Sequence, residues 1–474
     1  MSLKNRVQYL FNRNTNYAFP EHALNQAESL KSLSNDLYTD SVRFIYELLQ
    51  NADDASIRNL SVPRKVVISV IDKYLIITHN GLPFNEKDLD ALCAVGCGTK
   101  AKDYEKTGYK GLGFKAVFGK SGYVLIYSKG EYFRFDSSQT FHWNANWSET
   151  QNTWEIENNR KFIFPWQIVP LWTEINDVPT MVKDFIRNNP CKVAYIILLN
   201  KVEDAEQGLK QLQKHSHMLL FLRNITETHF YSKTSRVILR LETNTDGTKK
   251  LQFTGGIPSQ WIMKQLVLDI PDEICQALSN DLNIPEKLKL VRKTEISFAA
   301  KYEGTNKIQK LDENESVLFC YIPTTISQYK FPLLVNANFL TTVNREQLHT
   351  DSTWNQWLFK QIPKEIFKWI SDLALEKWQQ HAYKLVPNKL TLNDTLVKRY
   401  NESCEQGMKQ IKFIMNNQRS PLFLSVDEAI IDLTSLSKEP FVGSDRIRLN
   451  WALKSLTGTI VFSYLKGVIF VDYH

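Results

Sequence analysis

Long apolar segments are missing from this sequence. The longest apolar runs are VAYIILL, which begins at Val193, and GTIVFSYLKGVIFV near the C-terminus, which Lys466 interrupts. Neither reaches the ~20 residues that a helix needs to cross a bilayer. The first residues, MSLKNRVQYLFNRN, also lack the apolar core of a signal peptide. We therefore expect a cytoplasmic protein with no membrane partner.

Cysteine is scarce, and common catalytic signatures are missing. The six cysteines show no CxxC spacing, so we expect free thiols in a reducing compartment rather than a zinc site. The nine histidines form no HExxH set, and no GxSxG sequence is present. These absences argue against zinc-dependent hydrolysis and against a serine nucleophile.

Charge of one sign does not dominate the chain. The net charge is +7 over 474 residues, which permits an anionic ligand but does not by itself indicate nucleic acid. The basic segment KLKLVRK, Lys287–Lys293, is interpreted as a solvated face, with a nucleic-acid contact as the less favoured alternative.

The composition and the strand patterns predict an α/β protein of two or three domains. Hydrophobic residues make up 43% and charged residues 23% of the chain, which are ordinary globular values. Helical patterns within residues 20–58 precede the strand patterns KVVISVI, YLIITHN, YVLIYS and YFRFD. Turns at Asp72-Lys73 and Lys129-Gly130 predict two hairpins. We therefore expect an α/β (α+β) sandwich with an antiparallel sheet at the N-terminus.

The pattern along the chain predicts three regions. They are an N-terminal domain over 1–205, a middle α/β domain over 206–385, and a smaller C-terminal segment over 386–474. The last region is expected to finish on two apolar strands. Because the sequence ends abruptly on VIFVDYH, we expect it to be part of a longer polypeptide.

The segment ELLQNADDA, Glu47–Ala55, has an unusual arrangement of polar residues. At ~100° per residue, Glu47, Asn51 and Asp54 form one stripe of a helix, and apolar residues form the opposite face. One interpretation is an amphipathic helix with a solvated polar face. The other is a site in which a carboxylate activates a water molecule and an amide oxygen holds a hard cation.

A glycine-rich element follows within about seventy residues of that helix. The segment GYKGLGFKAVFG spans Gly108–Gly119 and surrounds Lys110 with glycines. Glycines allow close approach of the backbone to a phosphate, and the N–H groups at a helix start bind anions. A structural turn is the alternative. The polar segment GCGTKAKDYEKTG just upstream has the composition of a mobile lid.

The order of three segments resembles the GHKL superfamily, which includes gyrase, the ninety-kilodalton heat-shock chaperone, histidine kinases and MutL. ELLQNADDA resembles the N box, HNGLPF stands where the DxGxG box belongs, and GYKGLGF resembles the second glycine box. The wording of all three is most similar to the sacsin-like branch. The resemblance covers residues 38–136 and implies the Bergerat fold of this superfamily.

The resemblance implies an ATP site that requires Mg²⁺. Glu47 is implied to be the general base, and Asn51 the Mg²⁺ ligand that bridges to the phosphates. Asp54 and Gly81 are implied to lie near the base, and Thr99 and Lys100 at the root of the lid. The residues implied to contact the phosphates follow the lid and are Lys110, Gly111, Gly113 and Phe114.

A second resemblance lies far along the chain. The segment TTVNREQLH is similar to the catalytic loop of the chaperone's middle domain, which implies that Arg345 reaches the γ-phosphate. An ordinary turn with a surface arginine is the alternative. An arginine from another domain would make hydrolysis depend on domain docking, and it argues against a histidine kinase.

Three positions depart from the superfamily pattern. His79 stands at the place of the aspartate that accepts the adenine amino group; a neutral histidine can accept with one nitrogen, and Asn80 is the alternative residue. Val193 or Ala194 stands at the place of the distal threonine, and His349 replaces the glutamine that accompanies the catalytic arginine. The departures are compatible with nucleotide binding and slow turnover.

These features favour a slow Mg²⁺-dependent ATPase that acts as a chaperone-like or assembly switch. The resemblance implies a protein partner or client, allows a homodimer, and by analogy suggests bacterial antiviral defence. The first alternative is an ATP-binding scaffold without hydrolysis. The second is a MutL-like clamp, which predicts DNA binding that depends on salt.

Overall fold

The chain divides into two units. The computed structural model describes residues 2–36, 43–55, 64–94, 113–281, 284–312, 315–342, 346–416, 422–432, 442–443, 456 and 459–468. Unit 1 consists of Met1–Leu241, Gln252–Ile257 and Pro285–Lys287, and unit 2 of Glu242–Leu251, Pro258–Ile284 and Leu288–His474. The proposed three-domain division at residues 205 and 385 stays a prediction.

Unit 1 contains helices that the sequence pattern largely anticipates. The α-helices are α1 (Lys4–Thr15), α2 (Pro20–Asp36), α3 (Arg43–Ala55), α4 (Glu86–Leu92), α5 (Gln151–Glu157), α6 (Thr180–Asn188) and α7 (Val202–Lys214). The glycine-rich element continues into a 3₁₀-helix, Gly113–Gly119. Other 3₁₀-helices are Trp166–Ile168, Ile175–Asp177 and Ser216–Leu220.

The strands of unit 1 form a mostly antiparallel sheet. They are β1 (Lys65–Ile71), β2 (Tyr74–His79), β3 (Tyr123–Ser128), β4 (Glu131–Asp136), β5 (Leu171–Thr173), β6 (Val193–Leu198), β7 (Glu227–Tyr231) and β8 (Arg236–Thr243). Their order is β8-β7-β1-β2-β6-β3-β4-β5, and the β1–β7 pair is parallel. The predicted α/β class is therefore confirmed.

Both predicted hairpins form, and their turns have the expected backbone. Asp72 in the β1–β2 turn has φ 50°, and Lys129 and Gly130 in the β3–β4 turn have φ 48° and 93°. Two successive positive φ values match a type I′ turn, whose twist suits a two-residue hairpin. Asn85 begins α4 with a capping box completed by Asp88.

One face of this sheet is covered by α6. Val182 and Ile186 of α6 join a buried cluster with Ile76 of β2 and Ile196 of β6. Because successive side chains of a strand point to opposite faces, His79 lies on the other face of β2 from Ile76.

Unit 2 is built on a second set of strands. They are β9 (Lys249–Phe253), β10 (Ser259–Asp269), β11 (Lys293–Glu303), β12 (Lys307–Ile308), β13 (Leu318–Cys320), β14 (Ile322–Pro323) and β15 (Leu334–Ala337). The order runs β9-β10-β11-β15-β13-β14, with β12 on β11. Small sheets follow: β16 (Ile414–Met415) with β17 (Phe423–Leu424), and β18 (Ile430–Asp432) with β19 (Val442–Gly443) and β20 (Lys466–Val468).

The helices of unit 2 bury the tryptophans. The helices are α8 (Asp272–Asn280), α9 (Glu286–Lys289), α10 (Thr353–Leu375), α11 (Thr395–Gln410) and α12 (Ile460–Tyr464), with a 3₁₀-helix at Gln379–Leu385. Trp354, Trp357, Trp369 and Trp378 are buried in one hydrophobic core, so they pack the interior of this unit.

The prediction of two apolar strands at the C-terminus is wrong in part. Lys466–Val468 is a strand, but Ile460–Tyr464 is a short helix. A short apolar run does not distinguish a buried strand from a buried helix, because both bury every side chain. Over the described ranges, no helix combines the length and apolar character that crossing a membrane requires.

Candidate functional site

The polar stripe of α3 is half-buried rather than solvated. Ile45, Leu48 and Leu49 are fully buried, as the helical spacing predicts. Glu47 and Asn51 are intermediate in exposure, and so is Asp54. No residue from 44 to 55 is fully exposed, and the stripe is partly accessible, which fits both an amphipathic helix and a helix that faces a ligand.

The HNG turn after β2 lies directly against the C-terminal end of α3. The backbone N–H of Leu82 donates to the carbonyl oxygen of Ala55 at 2.7 Å. A Cβ atom added to Gly81 would lie 2.6 Å from that oxygen and 2.9 Å from Nδ1 of His79. Only glycine permits this approach without displacement of the backbone. The turn that carries His79, Asn80 and Gly81 is therefore held against Ala55, the residue that follows Asp54 in α3.

A buried carboxylate fixes the same end of α3. Asp53 accepts hydrogen bonds from the backbone N–H groups of Arg223 (2.9 Å), Asn224 (2.8 Å) and Ile225 (2.7 Å). The side-chain amide of Asn224 donates to the carbonyl oxygen of Asp53 at 2.9 Å. Burial raises the pKa of Asp53, and the three N–H groups oppose that effect.

Sequence reasoning missed Asp53, although a signal was present. The helical phase that places Asp54 on the polar stripe places Asp53 one turn from Leu49, on the buried face. A carboxylate at a buried helical position requires hydrogen-bond donors from elsewhere in the fold. The first aspartate of NADDA, Asp53, was thus a candidate for a structural role.

His79 is buried in a mostly apolar setting. Its Nδ1 accepts a hydrogen bond from the backbone N–H of Gly81 at 3.1 Å, and its Nε2 has no hydrogen-bond partner among the residues that the structure describes. In the strand register, Val66 of β1 and Val193 of β6 stand on either side of it. Burial lowers the pKa of His79 to about 4, so the ring is neutral at pH 7.

Aromatic rings connect His79 to the glycine-rich element. The ring of Tyr195 lies 6.1 Å from that of His79 and 6.0 Å from that of Phe114. Phe84, which follows the HNG turn, lies 6.1 Å from Tyr195. The 3₁₀-helix that begins at Gly113 also packs against α3. The structure therefore brings together described residues from all three sequence segments.

Lys115 is a buried lysine that the sequence analysis did not single out. Its Nζ donates to the carbonyl oxygen of Leu92, at the end of α4, and to that of Gln167 at 3.0 Å. Burial lowers the pKa of Lys115 to about 8. Carbonyl oxygens at a helix C-terminus favour a cation, so Lys115 joins α4 to the glycine-rich element.

Several predicted site residues lie outside the described residues. They are Thr99, Lys100, Lys110, Gly111 and Arg345. The chain on both sides of residues 343–345 is described, however. Thr342 N–H donates to the carbonyl oxygen of Gln347 at 2.9 Å, and Thr341 forms a β-bridge with Leu348.

A buried amide holds the flanks of this segment. Asn355 of α10 accepts from the N–H of Leu340 at 2.9 Å and donates to the carbonyl oxygens of Leu340 (2.7 Å) and His349 (3.0 Å). The side chain of Asn355 thus forms hydrogen bonds with the chain before and after residues 343–345. These bonds hold Leu340 and His349 close to each other.

The residues around α3 offer oxygen ligands of the kind that Mg²⁺ binds. Within the described ranges, no three His, Cys, Asp or Glu side chains form a group suited to a metal ion. Mg²⁺ usually retains waters and takes one or two protein oxygens besides substrate phosphates. The amide oxygen of Asn51, one helical turn from the proposed general base Glu47, fits that requirement.

Comparison with known proteins points to sacsin-like proteins. Residues 69–238 match the Sacsin domain family. The chain is 23% identical to Protein NO VEIN of Arabidopsis thaliana over 346 residues, which is 71% of this chain and 11% of that protein. It is 34% identical to Sacsin of Homo sapiens over 100 residues, which is 19% of this chain and 2% of Sacsin.

The chain therefore spans a small part of the length of each of these relatives. The family match begins in β1 and ends in β8, so it includes His79, Gly81 and the glycine-rich element. Helix α3 precedes it. The similarities support the sacsin-like branch of the superfamily resemblance.

Proposed function

We propose that this chain binds Mg²⁺-ATP and hydrolyses it slowly. The contact of the Gly81 turn with Ala55 carries the proposal. It places the turn that we propose lies near the nucleobase against the helix that bears Glu47 and Asn51. Glu47 aligns the attacking water, and Asn51 supplies an oxygen to Mg²⁺. The metal neutralises phosphate charge, which is the main requirement of phosphoryl transfer.

Residues beyond the described ranges complete this proposal. Lys110 and Gly111, with Gly113 and Phe114, are proposed to offer donors to the phosphates, and Thr99 and Lys100 to stand at the root of the lid. Arg345 stabilises the charge that develops on the γ-phosphate, so that turnover requires domain docking. Nucleotide binding then acts as a switch for a protein partner, a client or a second copy of the chain. A role in antiviral defence rests on analogy.

An ATP-binding scaffold without hydrolysis is the second candidate. Val193 stands opposite His79 in the strand register, so no hydroxyl from β6 is present at that position. The missing hydroxyl favours the scaffold, whereas Glu47 argues against it, because a protein that only binds ATP does not need a general base. The two candidates differ in turnover and not in binding.

The deciding experiment measures ATP binding and phosphate release separately. Glu47→Gln keeps the size of the side chain and removes its basicity, and loss of a general base costs roughly 10²–10⁴ in rate. Asn51→Ala should weaken binding in Mg²⁺ more than in EDTA. Glu21→Gln, on an exposed position of α2, is the matched control.

Each outcome selects one function. If Glu47→Gln binds ATP like the wild type and loses turnover, the ATPase proposal stands. If wild type and Glu47→Gln bind ATP and release phosphate equally slowly, the scaffold is supported. If the wild type binds no ATP in the presence of Mg²⁺, both are wrong.

A further inference from the structure

We propose that His79 recognises the nucleobase as a hydrogen-bond donor, through Nε2–H, so that the site selects a ring acceptor of a purine rather than its 6-amino group. The inference rests on the proposed function, since it concerns the base of the nucleotide bound there. It differs from recognition by a carboxylate, which can only accept from an amino group.

The first observation is the hydrogen bond that fixes the tautomer. The backbone N–H of Gly81 can only donate, and it lies 3.1 Å from Nδ1 of His79. Nδ1 is therefore the acceptor of the neutral ring, and the proton resides on Nε2. A side chain at position 81 would clash with the carbonyl oxygen of Ala55. The close approach of the two backbones therefore requires glycine here, and it holds the Gly81 N–H beside Nδ1.

The second observation is that this donor is buried and has no partner. Nε2 of His79 is inaccessible and forms no hydrogen bond within the described part of the chain. The flanking strand residues, Val66 and Val193, are apolar. Leaving a buried donor unpaired costs free energy, and native structures do so rarely. An unpaired hydroxyl can rotate to find another partner. The imidazole ring of His79 is held by the bond at Nδ1, so its Nε2–H keeps one direction.

The chemistry of purines supplies the partner. N1, N3 and N7 of the adenine ring are acceptors, and the 6-amino group is a donor that Nε2–H cannot bind. A base must displace the groups that cover Nε2 before it can pair with it. Once bound, a ring nitrogen of the base accepts from Nε2–H and removes the free-energy cost of the unpaired donor. The substituent at C6 then has little effect on the contact with His79.

Binding measurements with modified nucleotides test this on the full chain. Affinities for Mg²⁺-ATP, purine riboside triphosphate, and 1-deaza-, 3-deaza- and 7-deaza-ATP are measured by calorimetry. Purine riboside triphosphate lacks the 6-amino group and should bind within about 3-fold of ATP. One of the three deaza compounds, which replace a ring nitrogen by CH, should bind about 10-fold or more weakly.

Two variants separate a direct contact from a structural role. His79→Asp introduces an acceptor, so ATP should then bind about 10-fold more tightly than purine riboside triphosphate. His79→Phe keeps an aromatic ring without a donor and should remove the differences among the deaza compounds. Thermal unfolding of both variants establishes that they are folded, and the deaza series on the wild type is informative even if they are not.

The outcomes distinguish this inference from the proposed function. If ATP binds but purine riboside triphosphate binds 10-fold or more weakly, His79 is not the donor and the ATP site remains. The same conclusion follows if ATP binds and all three deaza compounds bind like ATP. If no triphosphate binds, the proposed function is itself wrong and the inference falls with it.

Discussion

The carbonyl oxygen of Ala55 accepts a hydrogen bond from Leu82 at 2.7 Å, and this bond ties the last turn of α3 to the turn after β2. Because the glycine between His79 and Leu82 has no side chain, the two backbones approach more closely than any other residue would allow. The bond is therefore a geometric requirement for the proposed site.

Gly81→Ala is expected to disturb both stability and nucleotide binding. The added Cβ would lie 2.6 Å from the oxygen of Ala55, and overpacking of this kind costs about 1–3 kcal/mol. Urea unfolding measures the loss, and calorimetry measures ATP binding. Gly130→Asn is the control, since no atom lies within 4 Å of its Cβ position and asparagine tolerates its left-handed backbone. An unchanged Gly81→Ala protein would contradict the structural assignment.

Two adjacent aspartates of α3 should behave differently. In Asp53→Asn an amide NH₂ replaces one of the two carboxylate oxygens, so at least one backbone N–H among Arg223, Asn224 and Ile225 loses its acceptor. A buried N–H left unpaired lowers the free energy of unfolding by about 1–3 kcal/mol. Asp54→Asn changes a half-buried side chain and should alter ATP affinity with little change in unfolding. Unfolding in urea and ATP titration on both variants provide matched controls. Equal loss of stability in the two variants would show that Asp53 does not accept the hydrogen bonds of the Arg223–Ile225 backbone.

The burial of His79 predicts a pH dependence of folding. Its folded pKa of about 4 lies below the unfolded value of ~6.5, so the unfolded chain binds more protons between these values. The stability from this group is complete above pH ~6.5 and falls by up to about 3 kcal/mol as the pH decreases through 4. Unfolding of wild type and His79→Asn at pH 7.5 and 5 isolates this contribution. Identical pH dependence of the two proteins would show that His79 is not buried.

Asn355→Ala tests the proposed role of Arg345. The variant removes the amide that bonds to Leu340 and His349, so phosphate release should fall at least 10-fold while ATP binding is retained. Asn401 forms the same pair of bonds with Leu390, at 3.0 and 2.9 Å, so Asn401→Ala is a matched control for stability. If both variants reduce turnover equally, the position of the Arg345 segment is not what limits it.

The elements of this fold that depend on local signals were predictable. The β3–β4 turn follows from Lys129-Gly130, and the start of α4 follows from Asn85 and Asp88, because each signal acts within four residues. The buried face of α3 follows from helical spacing alone. Ile460–Tyr464 was not predictable, because its apolar pattern suits a helix and a strand equally.

Contacts between distant segments account for what the sequence could not provide. The partners of Asp53 lie 170 or more residues away, and the carbonyl oxygens that bind Lys115 belong to two separate elements. These relationships depend on how the strands are ordered in the sheet, and that order is not local information.

The hydrogen bonds of Asp53 also bear on how the part of the chain proposed to bind nucleotide can be isolated for experiments. A fragment that stops at residue 205 would omit the N–H groups of Arg223, Asn224 and Ile225, and it would leave β1 without its parallel neighbour β7. The helix that carries Glu47 and Asn51 would then lose its C-terminal anchor. An expression fragment intended to test ATP binding should therefore extend at least through β7, to residue 231.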